Sequence, residues 1–480
     1  MTIDAAVENR THRRIIVAGL TTVMFLSAIE ATIIATAMPT IVKALNGMAR
    51  VGMVGSSYLL ASTVMIPLYG RLADLRGRKK MMLLGIALFL AGSILCAVAH
   101  SLGILIVGRV VQGMGAGAIQ PITMTLIGDL FSLEERGRIQ GIMGGIWGLA
   151  GICGPLLGAF LVGHPQYFGW RSIFWMNLPF GIVAAAIIGR NLREPTHVGK
   201  PPRIDWLGAG LLIGGSAALL IASGGTYPML LVPIGIMLLI ALVVVEGRVE
   251  EPLLPLSLLT RRDVAIGSLN AMLMGVCFMS IVYYLPLYIQ SGLGRSAAEA
   301  GSSLTPLLIG WPIAATTTSF LLVKTGFRTP LIIGAVAVAA AMIGLQTWLL
   351  HPIRAILWPV MLVMGAGLGL TTTSVIVAVQ TSVNYNQRGL ATAFNLFSRS
   401  MGGAIGVDVA GLLIGAGMAA HGVASSTFAD PQVLTTVLSK VFMATALLAV
   451  CNIPLCLLYP SQSSRKVERG EEIIVPALME

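Results

Sequence analysis

Charge is scarce in this sequence of 480 residues: Asp, Glu, Lys and Arg together make up 11% of it, against roughly 25% in soluble domains. Too few polar side chains remain to solvate the several soluble domains that such a length would otherwise suggest. A soluble multidomain enzyme is excluded. Nucleotide-binding signals are missing as well. No GxxxxGKS or GxxxxGKT occurs, and the nearest Gly-Lys, Gly199-Lys200, runs into Pro201-Pro202. ATP is therefore not an energy source that this chain supplies for itself. With no HExxH and no His/Asp/Glu cluster at ligand spacing, no metal is expected. No nucleophile–base pair points to an enzyme, and no cofactor is called for. The 5 cysteines sit singly in apolar runs and form no CxxC, so they build no dithiol framework. All 6 histidines lie between apolar runs, which leaves proton chemistry inside a bilayer to carboxylates. The polar opening, Met1 to Arg13, precedes no short apolar core with a small-residue cleavage site, so no signal peptide is expected.

What the chain does have is a succession of apolar runs. A membrane helix needs about 20 mostly apolar residues. Such runs fall near 15–38, 53–72, 81–99, 102–128, 139–162 and 173–190, then after a charged, proline-bearing link near 205–223 and 228–245. The rest lie near 264–290, 298–322, 330–350, 354–379, 389–418 and 436–459. The count predicts an all-α membrane protein of fourteen spans, with twelve as the competing number if the middle pair does not insert. The expected organisation is an N-terminal six-helix bundle over 1–200, a two-helix linker over 201–255 and a C-terminal six-helix bundle with a tail over 256–480. Charge sets the orientation. With cytoplasmic termini, 23 of the 31 Lys and Arg residues fall on inner segments, 6 on outer loops and 2, Arg109 and Arg399, within spans. This obeys the positive-inside rule, and only an even number of spans allows it. The net charge of +11 then reflects topology and anionic lipid headgroups and not nucleic acid. Tyr58-Leu-Leu through Pro67-Leu-Tyr and Tyr284-Leu-Pro-Leu-Tyr through Pro306 form a faint echo between halves, a common plan in transporters. Trp170, Trp175, Trp348 and Trp358 sit where an outer interfacial belt would lie.

The loop between the second and third spans reads Gly70-Arg-Leu-Ala-Asp74-Leu-Arg76-Gly77-Arg78-Lys79-Lys80. Gly70 and Gly77 permit a tight reversal and close helix contact. Asp74 offers a carboxylate to nearby cations or to a helix N-terminus. This segment resembles the GxLxDRxGRKx signature of the major facilitator superfamily. The fourth span, Gly108-Arg109-Val-Val-Gln112-Gly113-Met-Gly115-Ala-Gly117, is similar to that superfamily's second motif, whose arginine is implicated in proton coupling. The fifth, Gly154-Pro155-Leu-Leu-Gly158-Ala159, is similar to the GPxxGG antiporter motif, with Ala159 in place of the last glycine. Glu30-Ala-Thr32-Ile-Ile-Ala35-Thr-Ala37-Met-Pro39 resembles the LDxTxxNVALP motif of the 14-span drug:proton antiporters, with Glu30 for Asp and Ala35 for Asn. Trp170-Arg171 through Asn177-Leu-Pro179 and Asp205-Trp-Leu-Gly208 extend the resemblance over nearly the whole chain.

Glu30, Arg109 and Asp408 lie about 12, 10 and 15 Å from the outer ends of their spans at 1.5 Å per residue. Each costs about 2.5–3.5 kcal/mol to insert, so three charges at one level suggest a shared task. Glu30 and Asp408 are the expected proton carriers, and Arg109 is the group that modulates them. A permanent Glu30–Arg109 structural ion pair is the bland alternative. Asn270, Tyr284, Trp311, Asn395 and Arg399 are candidates for a substrate cavity, with Phe278 on the span of Asn270 and Tyr284. The resemblance implies a proton-coupled antiporter that exports lipophilic drugs by alternating access; the two carboxylates favour cationic cargo, but Arg109 and Arg399 could equally serve anions. A dedicated exporter of a lipid, siderophore or other metabolite is the alternative. The driving force would be the proton gradient, with protons, small lipophilic substrates and membrane lipids as partners. An accessory export partner is a further candidate. The resemblance also implies a multi-pass protein of the plasma membrane, the inner membrane if the source is bacterial.

Overall fold

A computed structural model describes residues 3–45, 51–164, 169–192, 205–223, 227–249, 258, 260–295, 297–350, 352–420 and 431–460. The expected helices are present, and several run past their apolar runs. The first half holds α1 (Ile3–Leu45), α2 (Val51–Arg76), α3 (Arg78–Ala97), α4 (Leu102–Leu130) and α5 (Leu133–Gly163). Where one span was expected near 173–190, a short α6 (Ser172–Trp175) and α7 (Asn177–Asn191) meet at Met176. A hairpin of α8 (Trp206–Ser223) and α9 (Pro228–Glu246) comes next. The second half holds α10 (Arg262–Leu287), which ends in a π turn at Tyr288–Gly292, and a short α11 (Ala297–Ser302). It continues with α12 (Thr305–Thr325), α13 (Arg328–Leu350), α14 (Arg354–Ser382), α15 (Tyr385–Ala420) and α16 (Pro431–Leu457).

Among the described residues, 12 helices are long and apolar enough to cross a membrane. The two other expected spans are helical too. One is α2, where Ser56, Ser57, Ser62 and Thr63 dilute the apolar run. The other is α8, whose apolar stretch, Trp206–Leu219, is shorter. The charged link over 193–204 lies outside the described residues.

Packing is the same in the two halves. In the first, α3 packs on α4, α2 on α4, α1 on α5 and on α7, and α3 on α7. In the second, α13 packs on α14, α12 on α14, α10 on α15 and on α16, and α13 on α16. These are equivalent pairings, helix for helix. The repeat is therefore real, but the tyrosine echo does not mark it. Tyr58 is on the second helix of its half and Tyr284 on the first helix of the other, so the two are not equivalent. Glycines allow the close crossings. A Cβ at Gly113 would lie 2.5 Å from the Tyr58 carbonyl oxygen, and one at Gly115 would lie 2.2 Å from the Phe89 nitrogen. The halves meet along α5 with α12 and α2 with α15, and the α8–α9 hairpin touches both α2 and α15. Of the expected interfacial tryptophans, Trp175 and Trp358 are exposed, while Trp170 and Trp348 are buried. Trp348 donates to the Ile353 carbonyl at 2.9 Å and stacks edge-on with Tyr288, so it is a packing residue.

Candidate functional site

Two polar assemblies and a cavity are set into this apolar scaffold. The first lies inside the N-terminal bundle, where α1, α3, α4 and α7 converge. Arg109 forms an ion pair with Glu30, and both side chains are fully buried. The guanidinium also donates to Gln112 Oε1 at 2.7 Å and to the Val54 carbonyl at 3.2 Å, and it stacks 4.2 Å from the centre of the Tyr58 ring. The other Glu30 oxygen accepts from Asn177 Nδ2 at 2.7 Å, and Gln112 and Asn177 both donate to Ser93 Oγ. A buried pair is tolerable only when its remaining lone pairs and protons are satisfied, and Gln112, Asn177 and the Val54 carbonyl supply those partners. The sequence brought Glu30 and Arg109 to one depth, and the structure brings them together. Ser93 and Asn177 were not singled out as site residues. The signal for Asn177 was its place in a motif, while Ser93 is one small residue among many.

The second assembly is at the end of the bundle that carries the basic loop. Asp74, at the last turn of α2, accepts from the backbone N–H of Gly389 at 3.0 Å and of Leu390 at 2.8 Å, in the first turns of α15. Arg78 bonds Asp74 at 3.0 Å, approaches Asp129 at 3.3 Å and donates to the Tyr385 carbonyl at 2.8 Å while stacking on the Tyr385 ring. From the other half, Arg388 reaches Asp129 at 2.8 Å and Gln380 donates to the Met124 carbonyl at 2.9 Å. Gly70 is required by the crossing, since a Cβ there would sit 2.2 Å from that of Ala393. Gly77 is required by its backbone, at φ 95°. Gly70, Asp74 and Arg78 thus contact the other half directly, and Gly77 shapes the turn that carries Arg78.

The cavity, of about 180 Å³, lies between the halves, with walls from α1, α4, α5, α10, α12, α14 and α15. Its surface is mostly apolar, with Met24, Met143, Met279 and Trp147 among its walls. Of the cavity candidates, Trp311 and Arg399 line it, and Phe278 packs edge-on against Trp311 at 5.1 Å. The other cavity candidates are placed elsewhere. Asn270 donates to Asn452 at 3.1 Å and to Cys456 Sγ at 3.3 Å, so it ties α10 to α16. Asn395 donates to the Gly267 carbonyl at 3.0 Å and Tyr284 to the Val407 carbonyl, both joining α10 to α15. Along a helix as apolar as these, no polar stripe fixes which side faces a neighbour, and these three polar groups found neighbouring helices. Glu30 is not a cavity residue either. On α1 it lies six residues from the wall residue Met24, about 9 Å along the axis, and its carboxylate is held by Arg109 and Asn177. Asp408 is on α15, but its side chain lies outside the described residues, as does that of Pro155.

In the antiporter motif, Gly154 and Gly158 are buried on one face of α5. A Cβ at 154 would meet Thr32 Oγ1 at 2.0 Å, and that hydroxyl already donates to the Ala150 carbonyl at 3.1 Å. Gly154→Ala is therefore expected to destabilise the protein by about 1–3 kcal/mol, the usual cost of overpacking. Adding Thr32→Ala should recover most of it. Thermal unfolding in detergent, compared across the two variants, checks this.

Comparison with known proteins accords with the arrangement. The sequence profile described as Major Facilitator Superfamily matches residues 20–407. The multidrug transporter protein MdtP of Bacillus subtilis (strain 168) is 32% identical over 416 residues, which is 85% of this chain and 76% of that one. Multidrug resistance protein 3 of the same strain is 33% identical, covering 85% of this chain and 81% of its own. Among solved structures, the proton:xylose symporter XylE superposes with a TM-score of 0.63 at 14% identity, covering 93% of this chain and 97% of that one. At that identity the likeness is one of fold.

Proposed function

Since the chain belongs to the major facilitator superfamily and is similar to proteins named multidrug transporter and multidrug resistance protein, we propose that it is a proton-coupled antiporter exporting lipophilic compounds by alternating access. The observation that carries the reading is the apolar cavity enclosed between two equivalent halves that are latched at one end. Methionine and aromatic walls adapt to many apolar shapes. If the basic loops are cytoplasmic, the latch closes the cytoplasmic side. Opening it, with closure at the far end, would carry cargo across.

Coupling is assigned to the buried cluster. Protonating Glu30 removes its attraction for Arg109, which would free Arg109 and Asn177 to take other partners and allow α1 and α4 to shift against each other. Asp408 is the second proton candidate. The fourteen-span organisation belongs to the same proposal: the α8–α9 hairpin would insert beside α2 and α15 as an additional pair, with both termini cytoplasmic in the plasma membrane.

The test uses purified protein in liposomes with an imposed pH gradient, following a fluorescent lipophilic probe and internal pH together. Probe movement should be matched by opposing proton movement in the parent. In Glu30→Gln, proton movement should fall at least tenfold while the probe still equilibrates down its own gradient. Probe movement indifferent to the pH gradient in the parent would remove proton coupling from the assignment.

A further inference from the structure

The charge on the cavity wall is of one sign. Arg399 is the ionised side chain lining it, and no Asp or Glu does so among the described residues. Nor does any described residue form an ion pair, hydrogen bond or ring contact with the Arg399 side chain, which contrasts with Arg109, Arg78 and Arg388, each held by a carboxylate. Asp408 is nine residues along α15 from Arg399, about 13 Å along the axis, and its side chain lies outside the described residues. A second donor is idle in the same wall. Gln140 is 7% exposed, and its buried Nε2 has no partner among the described residues. A guanidinium facing an apolar, membrane-embedded cavity is costly unless something pairs with it. The natural complement is an oxyanion, which its fork of N–H groups binds in two places at once.

We infer that this cavity takes amphiphilic organic anions, with Arg399 as the binding residue for a carboxylate or sulfonate and Gln140 as an additional hydrogen-bond donor to the cargo. The inference rests on the efflux reading above and names its cargo class. It departs from the expectation of cations, which placed Glu30 and Asp408 at the substrate. Glu30 is already neutralised by Arg109 outside the cavity, so the field that cargo meets is positive. Because a guanidinium stays protonated throughout the ordinary range, anion preference at this wall does not vary between about pH 6 and about pH 9.

A matched pair of probes isolates charge from shape: pyrenylbutanesulfonate and pyrenylbutyltrimethylammonium, titrated into detergent-purified protein and read by pyrene fluorescence. The full-length parent should bind the sulfonate at least tenfold more tightly than the ammonium, equally at both ends of that pH range. Arg399→Gln should abolish the preference, Arg399→Lys should keep part of it, and Gln140→Ala should weaken sulfonate binding severalfold. Equal or tighter binding of the ammonium by the parent overturns the inference whatever the variants' yield. So does a sulfonate preference that survives in folded Arg399→Gln, or the absence of binding by either probe. Liposome flux then separates the two readings. Sulfonate that binds through Arg399 but is not moved by a pH gradient leaves the charge assignment standing and defeats the antiport assignment.

Discussion

Replacing Arg109 with alanine is expected to have the largest effect of any single substitution in the N-terminal bundle. The change strands the Glu30 carboxylate in a site that is 0% exposed, with Asn177 as its remaining partner. Breaking a buried pair by deleting one member costs roughly 3–5 kcal/mol, because the other charge is left uncompensated. Here the loss is compounded. Gln112 Oε1 and the Val54 carbonyl each lose a donor, and the Tyr58 ring loses the cation stacked on it. Arg109→Ala should therefore fall in folded yield, melt well below the parent and show no gradient-driven transport. Arg109→Ala with Glu30→Gln removes the stranded charge and should recover most of the melting temperature. The double variant separates the two roles open to this pair. If it regains stability but not proton exchange, the pair couples transport. If it regains both, the pair is structural and the proton site lies elsewhere.

That pair was also the part of the site most legible in the sequence. Buried charges are costly in a membrane, so each one that persists is conspicuous, and counting residues from the span ends put Glu30 and Arg109 at one depth. That they are 79 positions apart did not matter to that argument. The cavity was harder to read. Asn270, Tyr284 and Asn395 have the residue types of a binding wall, yet their hydrogen bonds run to α16 and α15 or back to α10. On helices that are apolar on every side, lipid and protein environments select the same residues, so rotation about the helix axis cannot be read from periodicity. Gln140 was missed for the same reason, since one amide near a span end carries no signal by itself. The loop motif offered Asp74 to nearby cations or to a helix N-terminus, but did not say that the helix would be α15, 315 residues away. Which helix lies opposite depends on how the two repeats pack, and that is a property of the assembled pair.

The second large effect is expected at that latch. Asp74 joins α2 to α15 through two backbone N–H donors, at a helix end where the dipole favours negative charge, and it anchors Arg78 at the same time. Hydrogen bonds to a charged group contribute about 1.5–3 kcal/mol each. Neutralising Asp74 weakens two such bonds across the interface, and every 1.4 kcal/mol lost shifts an equilibrium tenfold. Asp74→Asn should thus move the balance at this end by roughly a hundredfold towards separation, even with the Arg388–Asp129 pair still in place. The stability of the N-terminal half should change less than the contact, because Arg78 keeps Asp129 and the Tyr385 carbonyl as partners while both bonds from α15 weaken. Spin labels at Lys80→Cys on α3 and Lys324→Cys on α12, both exposed at this end, report the separation once the accessible native Cys153 and Cys451 are replaced by alanine. Pulsed distance measurements should show one short population in the parent and a dominant longer one in Asp74→Asn. An unchanged distance distribution, with melting also unchanged, would mean that the contact is held by Arg388 and the close crossing of Gly70 with Gly389. The carboxylate would then be an accessory to a latch built from shape.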